Sequence, residues 1–315
     1  MPVTVGGARF ELVKHNFPFH SVKPQISNAC GSRASATKSN FPLLERLSLH
    51  KLVIQPGCFR EPHWHANADE LTYCTKGSAL VTIFASGNQH IQFTVSAGEM
   101  FFVPSGQLHT IESTDPHGAE FVLTLSHEEP EDFGLSGFAG CLTPAVLGNT
   151  WGLTAQDIAG ITRNPVDIDF GKLAGKVEVP WSATFGNPYK FPIEAKPPVA
   201  ANSAGHVKVA RRDVWPILRA QGMYSVHFTG TGMREPHWHP DTAELGYVHE
   251  GKGRMTIQSP GGSADTYELS PGDIYFIPRA YPHHIENLTS GKMHFLILFD
   301  TPDVQDIGLS ENDLS

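Results

Sequence analysis

The chain has little charge, no long apolar run and no targeting signal at its start. Only 17% of its 315 residues are Asp, Glu, Lys or Arg, and 40% are apolar, which indicates a folded chain and not a disordered one. No apolar stretch approaches the roughly 18 residues needed to span a bilayer, so we expect no membrane partner. The segment from Met1 to Phe19 lacks the basic region and apolar core of a signal peptide, which predicts a cytoplasmic location.

Positive charge is scarce as well. The 23 basic residues are outnumbered by 32 acidic ones, which gives a formal net charge of −9. Nucleic-acid binding needs a basic face, so we expect no nucleic-acid partner. A small anionic molecule remains a possible substrate, because a local arginine or metal ion can attract it. The sequence also leaves open whether the protein forms a homo-oligomer.

Cysteine is rare, and its positions follow no motif. The four cysteines form no Cys-x-x-Cys pair and do not recur at matching places in the repeat described next: Cys30, Cys58, Cys74 and Cys141. We expect buried free thiols in a reducing compartment, with two disulfides as the alternative.

The most informative feature that is present is an internal repeat with an offset of 174 positions. The string Arg-Glu-Pro-His-Trp-His at Arg60–His65 returns unchanged at Arg234–His239. Each copy is followed by a glutamate and, much later, by a histidine: Glu70 and His109 in the first copy, Glu244 and His283 in the second. The register holds for more than a hundred residues without a net insertion, which predicts two domains that are copies of one fold.

Short β-prone segments indicate that both domains are all-β. The 24 prolines and 30 glycines suit many short strands joined by tight turns. Segments such as 79–84 and 121–125 in the first copy, and 254–257 and 294–298 in the second, are predicted strands. Near-regular spacing of short strands predicts a sandwich or a barrel, and a closed barrel is favoured because it gives a site a walled cavity.

We predict a first barrel at residues 1–141, a helical and extended linker at 142–180, and a second barrel at 181–315. Thr143 or Thr150 can cap a helix in the linker, and apolar residues at helical spacing follow, which predicts one or two short helices at the junction. Five prolines within 180–198 predict an extended arm that leads into the second barrel.

The repeated histidines and glutamates predict a metal site in each domain. Successive side chains of a strand point to opposite faces, so His63 and His65 face the same way. Three imidazoles and one carboxylate suit Mn, Fe, Co, Ni, Cu or Zn better than Ca or Mg. The alternative, histidines that bind nothing, is disfavoured because the full set occurs twice. The predicted ligands are His63, His65, Glu70 and His109, and then His237, His239, Glu244 and His283.

The sequence resembles the cupin family at both of its motifs. The first-copy residues that match are Gly57, His63, His65, Glu70 and Gly77, followed by Gly98, Pro104, Gly106 and His109. The second copy matches with two departures, Thr231 and Ala280 in place of glycine. The resemblance implies two tandem cupin barrels, of the double-stranded β-helix or jelly-roll type, with a few short helices between them.

Within cupins, the Arg-Glu-x-His-Trp-His string is similar to the oxalate decarboxylase branch. That resemblance implies manganese, one ion per barrel, and an arginine that holds the substrate carboxylate. Arg60 and Arg234 occupy that place, three residues before the first ligand. An ion pair at the barrel rim is the alternative role for these arginines.

Decarboxylation also needs an acid that protonates the carbanion-like product. The resemblance implies a glutamate on a lid loop, but the Ser-Glu-Asn-Ser-like string of that loop is absent. The corresponding acidic segment, 127–132, supplies Glu128 and Glu131 as candidate acids, and a solvated loop is the alternative. This segment favours the first barrel as the catalytic one.

The predicted function is a metal-dependent bicupin enzyme that acts on a small carboxylate, with oxalate decarboxylation or oxidation as the closest example. A dioxygenase or isomerase with iron, nickel or copper, acting on another small molecule, is one alternative. A non-enzymatic storage or sensing protein is the other.

Overall fold

Short strands are the main regular elements of the fold. The computed structural model describes residues 3–5, 8–10, 14–87, 89–161 and 163–309. The strands of the first half are β1 Val3–Val5, β2 Ala8–Phe10, β3 Asn16–Phe17, β4 Ile26–Asn28, β5 Gly31–Ala36, β6 Ser48–Ile54, β7 Cys58–His65, β8 Glu70–Lys76, β9 Ser78–Ala85, β10 Gln89–Ser96, β11 Met100–Val103, β12 Leu108–Ser113, β13 Ala119–Leu125 and β14 Asp132–Gly134. Those of the second half are β15 Phe170–Lys172, β16 Lys190–Phe191, β17 Ala200–Asn202, β18 Gly205–Ala210, β19 Gly222–Phe228, β20 Met233–Trp238, β21 Glu244–Glu250, β22 Gly253–Gln258, β23 Ala264–Leu269, β24 Ile274–Ile277, β25 His283–Asn287, β26 Met293–Phe299 and β27 Ile307–Gly308.

Three short α-helices lie between the two sets of strands: α1 Leu135–Cys141, α2 Pro144–Trp151 and α3 Ala155–Ala159. As predicted, Thr143 caps a helix, accepting a hydrogen bond from the Val146 amide. The cap of α3 is Thr154, not Thr150, and it forms a capping box with Asp157. The predicted all-β class with a few short helices is confirmed.

Contacts divide the chain into two units. The first unit comprises Pro24–Ser35 and Leu49–Lys190, and the second comprises Met1–Lys23, Ala36–Ser48 and Phe191–Ser315. These units cut across the linear boundaries 1–141, 142–180 and 181–315, which stay a prediction. The physical reason is strand pairing, since β3 near the N-terminus hydrogen-bonds to β24 of the second unit.

The first unit is built from two sheets. One has the strand order β10-β9-β12-β7-β14, with β15 also paired to β7, and the other has the order β16-β11-β8-β13-β6-β5-β4. Their inward side chains form one core, in which Val81 and Phe93 of the first sheet meet Phe101 and Phe121 of the second. Burying each of these side chains stabilises the fold by roughly 1.5–3 kcal/mol.

The second unit repeats this arrangement. Its sheets have the orders β17-β18-β19-β26-β21-β24-β3 and β23-β22-β25-β20-β27. Phe228 and Phe295 of the larger sheet pack in one core with Met255 and Ile257 of the smaller sheet. The alternation along β25, buried at every second residue from His283, places that histidine inside the barrel.

One pair of cysteines departs from the expectation of free thiols. Cys30 and Cys58, 28 residues apart in the chain, form a disulfide within the first unit. Cys74 and Cys141 are free, Cys74 buried and Cys141 exposed. The expectation was wrong for the first pair because strand packing brings the two cysteines together, at a Cα–Cα distance of 5.4 Å, and no spacing motif reveals this.

No helix in the part of the chain that the structure describes is long and apolar enough to cross a membrane.

Candidate metal centres

In the first unit, the four residues predicted as ligands converge inside the barrel. His63 and His65 lie on β7, Glu70 begins β8 and His109 lies on β12, and all four are buried. One potential ligand atom of each lies within 4.8 Å of the others. The Glu70 carboxylate is 2.8 Å from His65 Nε2 and 3.2 Å from His109 Nε2. Buried nitrogen and carboxylate donors at these separations fit one transition-metal ion.

Backbone carbonyls set the tautomers of two of these imidazoles. His63 Nδ1 donates to the carbonyl of Glu61 at 2.8 Å, and His109 Nδ1 donates to the carbonyl of Gln107 at 3.1 Å. Because a carbonyl oxygen can only accept, Nδ1 carries the proton in both rings. Each Nε2 therefore presents a lone pair to the centre, as metal ligation requires.

The third imidazole is oriented by a carboxylate. His65 Nδ1 lies 2.5 Å from Asp132 Oδ1, and Asp132 also forms an ion pair with Arg33. Burial alone lowers the pKa of His65, but hydrogen bonds to Asp132 and Glu70 outweigh it and raise the pKa to about 9. Burial alone raises the pKa of Asp132, but the contacts with His65 and Arg33 hold it far below its usual range. Asp132 is therefore ionised, and it orients His65 and makes it more basic.

The second unit reproduces the same centre. Its four predicted ligands are buried, with ligand atoms again within 4.8 Å of one another: His237, His239, Glu244 and His283. His237 Nδ1 donates to the carbonyl of Glu235 at 2.6 Å. His239 Nδ1 lies 3.0 Å from both the Gln305 carbonyl and Asp306 Oδ1. Asp306 thus takes the place of Asp132, and its pKa is about 2, because the interactions with His239 and Arg234 outweigh burial, which raises it.

In each unit, the ligand glutamate also accepts a hydrogen bond from a hydroxyl group. The hydroxyl belongs to the glutamate's own strand in the first unit and to a neighbouring strand in the second. The Thr72 hydroxyl donates to Glu70 at 2.6 Å, and the Tyr275 hydroxyl donates to Glu244 at 2.7 Å. The residue that matches Thr72 in the second copy is Gly246. A β-carbon there would lie 2.0 Å from the Tyr275 ring, so the glycine leaves room for the tyrosine. The two copies thus hold the glutamate in the same way with different residues.

A β-bulge turns the arginine of the repeated string toward the ligands. Strict alternation would point Arg60 and His63 to opposite faces of β7. Instead, His63 pairs with His109 while Arg60 pairs with Ile111, so three steps along β7 match two along β12. The bulge includes Pro62, which has no N–H to donate to the ladder. As a result, Arg60 lines the same cavity as the ligands.

The second copy has the same register shift, between Arg234 and His237. Both arginines are buried, and each contacts a carboxylate. Arg60 Nη1 is 3.0 Å from Asp169 Oδ1, and Arg234 Nη2 is 3.1 Å from Asp306 Oδ1. Both arginines therefore line a cavity and form an ion pair, and their role in holding a substrate carboxylate stays a prediction.

The cavities at the two centres differ in volume. The one in the first unit measures about 10 Å³ and the one in the second about 220 Å³. The smaller volume is enough for about one water molecule. The second centre therefore has more space beside its ligands than the first. The expectation that the first barrel is the catalytic one stays a prediction.

The acidic segment 127–132 is held against the first barrel. The Glu131 amide donates to Asn67 Oδ1 at 2.9 Å, and the Glu131 side chain is exposed. Glu128 is half-buried, and neither glutamate belongs to the described residues that line the first cavity. The acid of this segment that contacts a ligand is Asp132.

Several residues at the centres were not singled out from the sequence as site residues: Arg33, His50, Asp132, Asp169, Tyr224 and Asp306. Asp132 and Asp306 occupy matching positions of the repeat, and this match could have marked them as site residues. Arg33 and His50 have no such signal, because the second copy carries Val207 and Tyr224 in their places.

A third group of potential ligands lies in the second unit. Glu194, His227 and His294 each bring one ligand atom within 4.8 Å of the others. However, the rings of His227 and His294 are stacked, with centroids 3.8 Å apart and planes 19° from parallel. One ion cannot lie in the plane of both rings. We interpret the group as a hydrogen-bonded cluster, in which the Ser225 hydroxyl donates to Glu194 at 2.5 Å and lies 2.8 Å from His294 Nε2.

This cluster should make the protein sensitive to acid. Burial, aided by the charge of His227, lowers the pKa of His294 from 6.5 to about 2. The folded state then binds fewer protons than the unfolded state, so stability is lost as the pH falls below about 6.5, by up to about 2 kcal/mol between pH 6.5 and 5. Glu194, whose pKa is lowered to about 2, adds to the loss below pH 4.5.

Urea unfolding at pH 7 and pH 5 checks this expectation. His294→Gln should reduce the stability difference between the two pH values, while the exposed His90→Gln should leave it unchanged. His206, His227, His249 and Lys208 surround the cluster and stay in place in both variants. If His294→Gln and the parent lose the same amount of stability between pH 7 and pH 5, the acid sensitivity belongs to other groups.

Fold and sites together define a protein of two β-barrels, each with a buried centre of three histidines and one glutamate. The chain belongs to the cupin family, which it matches over residues 19–159 and 191–314.

Among curated relatives, it is similar to the oxalate decarboxylase OxdC of Bacillus subtilis, with 29% identity over 294 residues, covering 89% of this chain and 74% of the relative. A probable oxalate decarboxylase of Arthroderma benhamiae is 27% identical over 275 residues, covering 81% of this chain and 65% of the relative. The solved structure of the Bacillus subtilis oxalate decarboxylase superposes with a TM-score of 0.85 at 25% identity, over 95% of this chain and 79% of that one. The chain is thus a homologue of oxalate decarboxylases, and the predicted family, branch and fold are confirmed.

Proposed function

We propose that the protein is a metal-dependent enzyme of the oxalate decarboxylase type that acts on a small carboxylate. The observation that carries this proposal is the pairing, in each barrel, of a buried three-histidine, one-glutamate centre with an arginine turned into the same cavity by a bulge. The homology to oxalate decarboxylases supports the same chemistry.

We propose manganese as the metal, one ion per barrel. The donor set suits Mn as well as Fe, Co, Ni, Cu or Zn. A solved structure of the Bacillus subtilis enzyme concerns its Mn(II) centres, and this chain shares its fold with a TM-score of 0.85. The predicted ligands are the eight histidines and glutamates whose positions are described above. When bound, the ion would act as a Lewis acid and stabilise negative charge that develops on the substrate.

The arginines bind and orient the substrate. A guanidinium can hold a carboxylate with two parallel hydrogen bonds, which fixes the direction of the bond to be broken. Arg234 already lies beside the open cavity, with Asp306 as its partner. Arg60 is held by Asp169, so a substrate at the first centre would compete with that carboxylate.

A proton donor is needed to complete decarboxylation. Asp132 and Asp306 do not suit this role because their low pKa values keep them ionised. In the second cavity, the Tyr224 hydroxyl is protonated and donates to Asp306 at 3.2 Å, and burial raises its pKa. For turnover at the first centre, Glu128 and Glu131 remain our candidate acids, provided that the segment 127–132 moves.

Product analysis of the Mn-loaded protein with oxalate tests the proposed function. We expect formate in large excess over hydrogen peroxide. Peroxide as the main product would assign an oxidase instead. No turnover of oxalate by protein with both centres filled would contradict the proposed reaction.

Conservative replacement of the arginines should locate the active barrel. Lysine keeps the charge but loses the two-pronged contact, so we expect Arg234→Lys to lower kcat/KM by about 10- to 100-fold. Arg60→Lys should have a smaller effect because the first cavity is closed. Steady-state kinetics and metal content of both variants give the comparison. A larger loss in Arg60→Lys, with metal content intact, would place turnover in the first barrel.

A further inference from the structure

Repeat-related positions make the walls of the two cavities chemically different. Arg33 and His50 line the first cavity, and the matching residues of the second are Val207 and Tyr224. The charged side chain of Arg33, which holds Asp132 in the first unit, is therefore replaced by a valine. Five apolar residues of the second cavity come from the adjacent strands β18, β19 and β26 and form its valine-rich wall: Val207, Val209, Val226, Ile297 and Phe299.

Polar side chains beside the centre also line the second cavity. Arg234 and Asp306 lie there with three of the ligand residues, and the Tyr224 hydroxyl donates to Asp306 at 3.2 Å. Arg234 donates to Asp306 at 3.1 Å, and its planar guanidinium has the geometry that binds a carboxylate. A molecule that fills this cavity meets both a carboxylate-binding group and several aliphatic side chains.

The cavity offers a carboxylate one cation beside the centre. The residues that line it include two arginines and two carboxylates: Arg211, Arg234, Glu244 and Asp306. Arg211 forms an ion pair with Asp213, and Arg234 is the arginine that follows the bulge toward the ligands. With about 220 Å³ of space and several apolar side chains in its lining, the cavity suits a molecule with one carboxylate and an apolar tail.

We propose that the second cavity binds a monocarboxylate with a short branched aliphatic tail, its carboxylate at Arg234 and its tail against the valine-rich wall. The proposal shares with the proposed function only the contact between arginine and carboxylate, and it does not require turnover of oxalate. Val207 and Val226 are buried, so the tail would lose contact with water when it binds. Each methylene that moves from water to this wall should raise affinity by about fourfold.

Calorimetric titration of the Mn-loaded chain with acetate and 3-methylbutanoate tests the proposal. Both probes carry one carboxylate, and the second adds the branched tail. We expect 3-methylbutanoate to bind more than tenfold tighter than acetate. Equal affinities would overturn the proposal, whatever the result with oxalate, and a failure to turn over oxalate would leave this binding result unaffected.

Variants of one strand locate the binding. Val207→Arg, which introduces the residue that the first barrel has at this place, should abolish the preference for the branched probe. Val207→Leu fills the cavity without burying a charge, and should reduce the preference if the arginine variant does not fold. His206→Arg is the matched control, because it adds the same guanidinium one residue away on the outer face of β18, and it should keep the preference. An unchanged preference in Val207→Arg or in Val207→Leu would place the branched probe elsewhere and overturn the proposal.

Discussion

Replacing His63 or His237 by alanine should lower the bound metal from two ions per chain to one. Each histidine supplies a buried imidazole to one centre only, and each centre lies inside its own barrel. With one ligand missing, the remaining set holds a divalent ion far more weakly, and Glu70 or Glu244 is left as a buried carboxylate without its counter-charge. We expect the variant of the catalytic barrel to lose turnover by orders of magnitude.

Elemental analysis of protein dialysed against Mn, followed by thermal unfolding with and without the metal, measures this effect. His284→Ala is the matched control, since His284 neighbours the ligand His283 on β25 but its side chain is partly exposed. The control should keep two ions. If both ligand variants retain two ions and full activity, these histidines do not hold the metal.

Asp132→Asn should be the most disruptive change outside the ligand set. The Asp132 carboxylate joins His65, Arg33 and, at 3.9 Å, Arg60. Asparagine keeps the shape but removes the charge, which leaves two arginines less well compensated and makes His65 a weaker ligand. We expect a loss of metal affinity at the first centre of about 10- to 100-fold. We also expect a loss of about 2 kcal/mol of stability, since the pair is only partly exposed.

The sign of the pH dependence separates this effect from a general loss of packing. The pKa of Asp132 is held below its usual 3.8, so its stabilising contribution is complete above that pH and declines as the pH falls below it. The stability loss in Asp132→Asn should therefore be full at neutral pH and smaller in acid. Asp306→Asn should act in the same way on the second centre alone, and the exposed Asp241→Asn should leave the metal affinity of the first centre unchanged. Unchanged metal affinity in both site variants would contradict the orienting role.

The ligand set was predictable because it depends on local order along the chain. Two histidines at i and i+2 share a face of any strand, and the second copy repeats the same spacing. The hydroxyl partners of the glutamates were not predictable. In the first unit the donor is Thr72, two residues from Glu70, but in the second it is Tyr275, on another strand. Only the pairing of β21 with β24 brings that tyrosine to Glu244.

By itself, the sequence determined the repeat, the all-β class and the two sets of candidate ligands, because each follows from residue spacing. The tertiary structure decided which side of the barrel Arg60 and Arg234 face, since the bulge reverses the alternation that spacing alone predicts. It also decided that Cys30 meets Cys58, and that one cavity is nearly filled while the other is open. These features depend on strand register and on side chains from distant strands, and one sequence does not reveal how those strands pack.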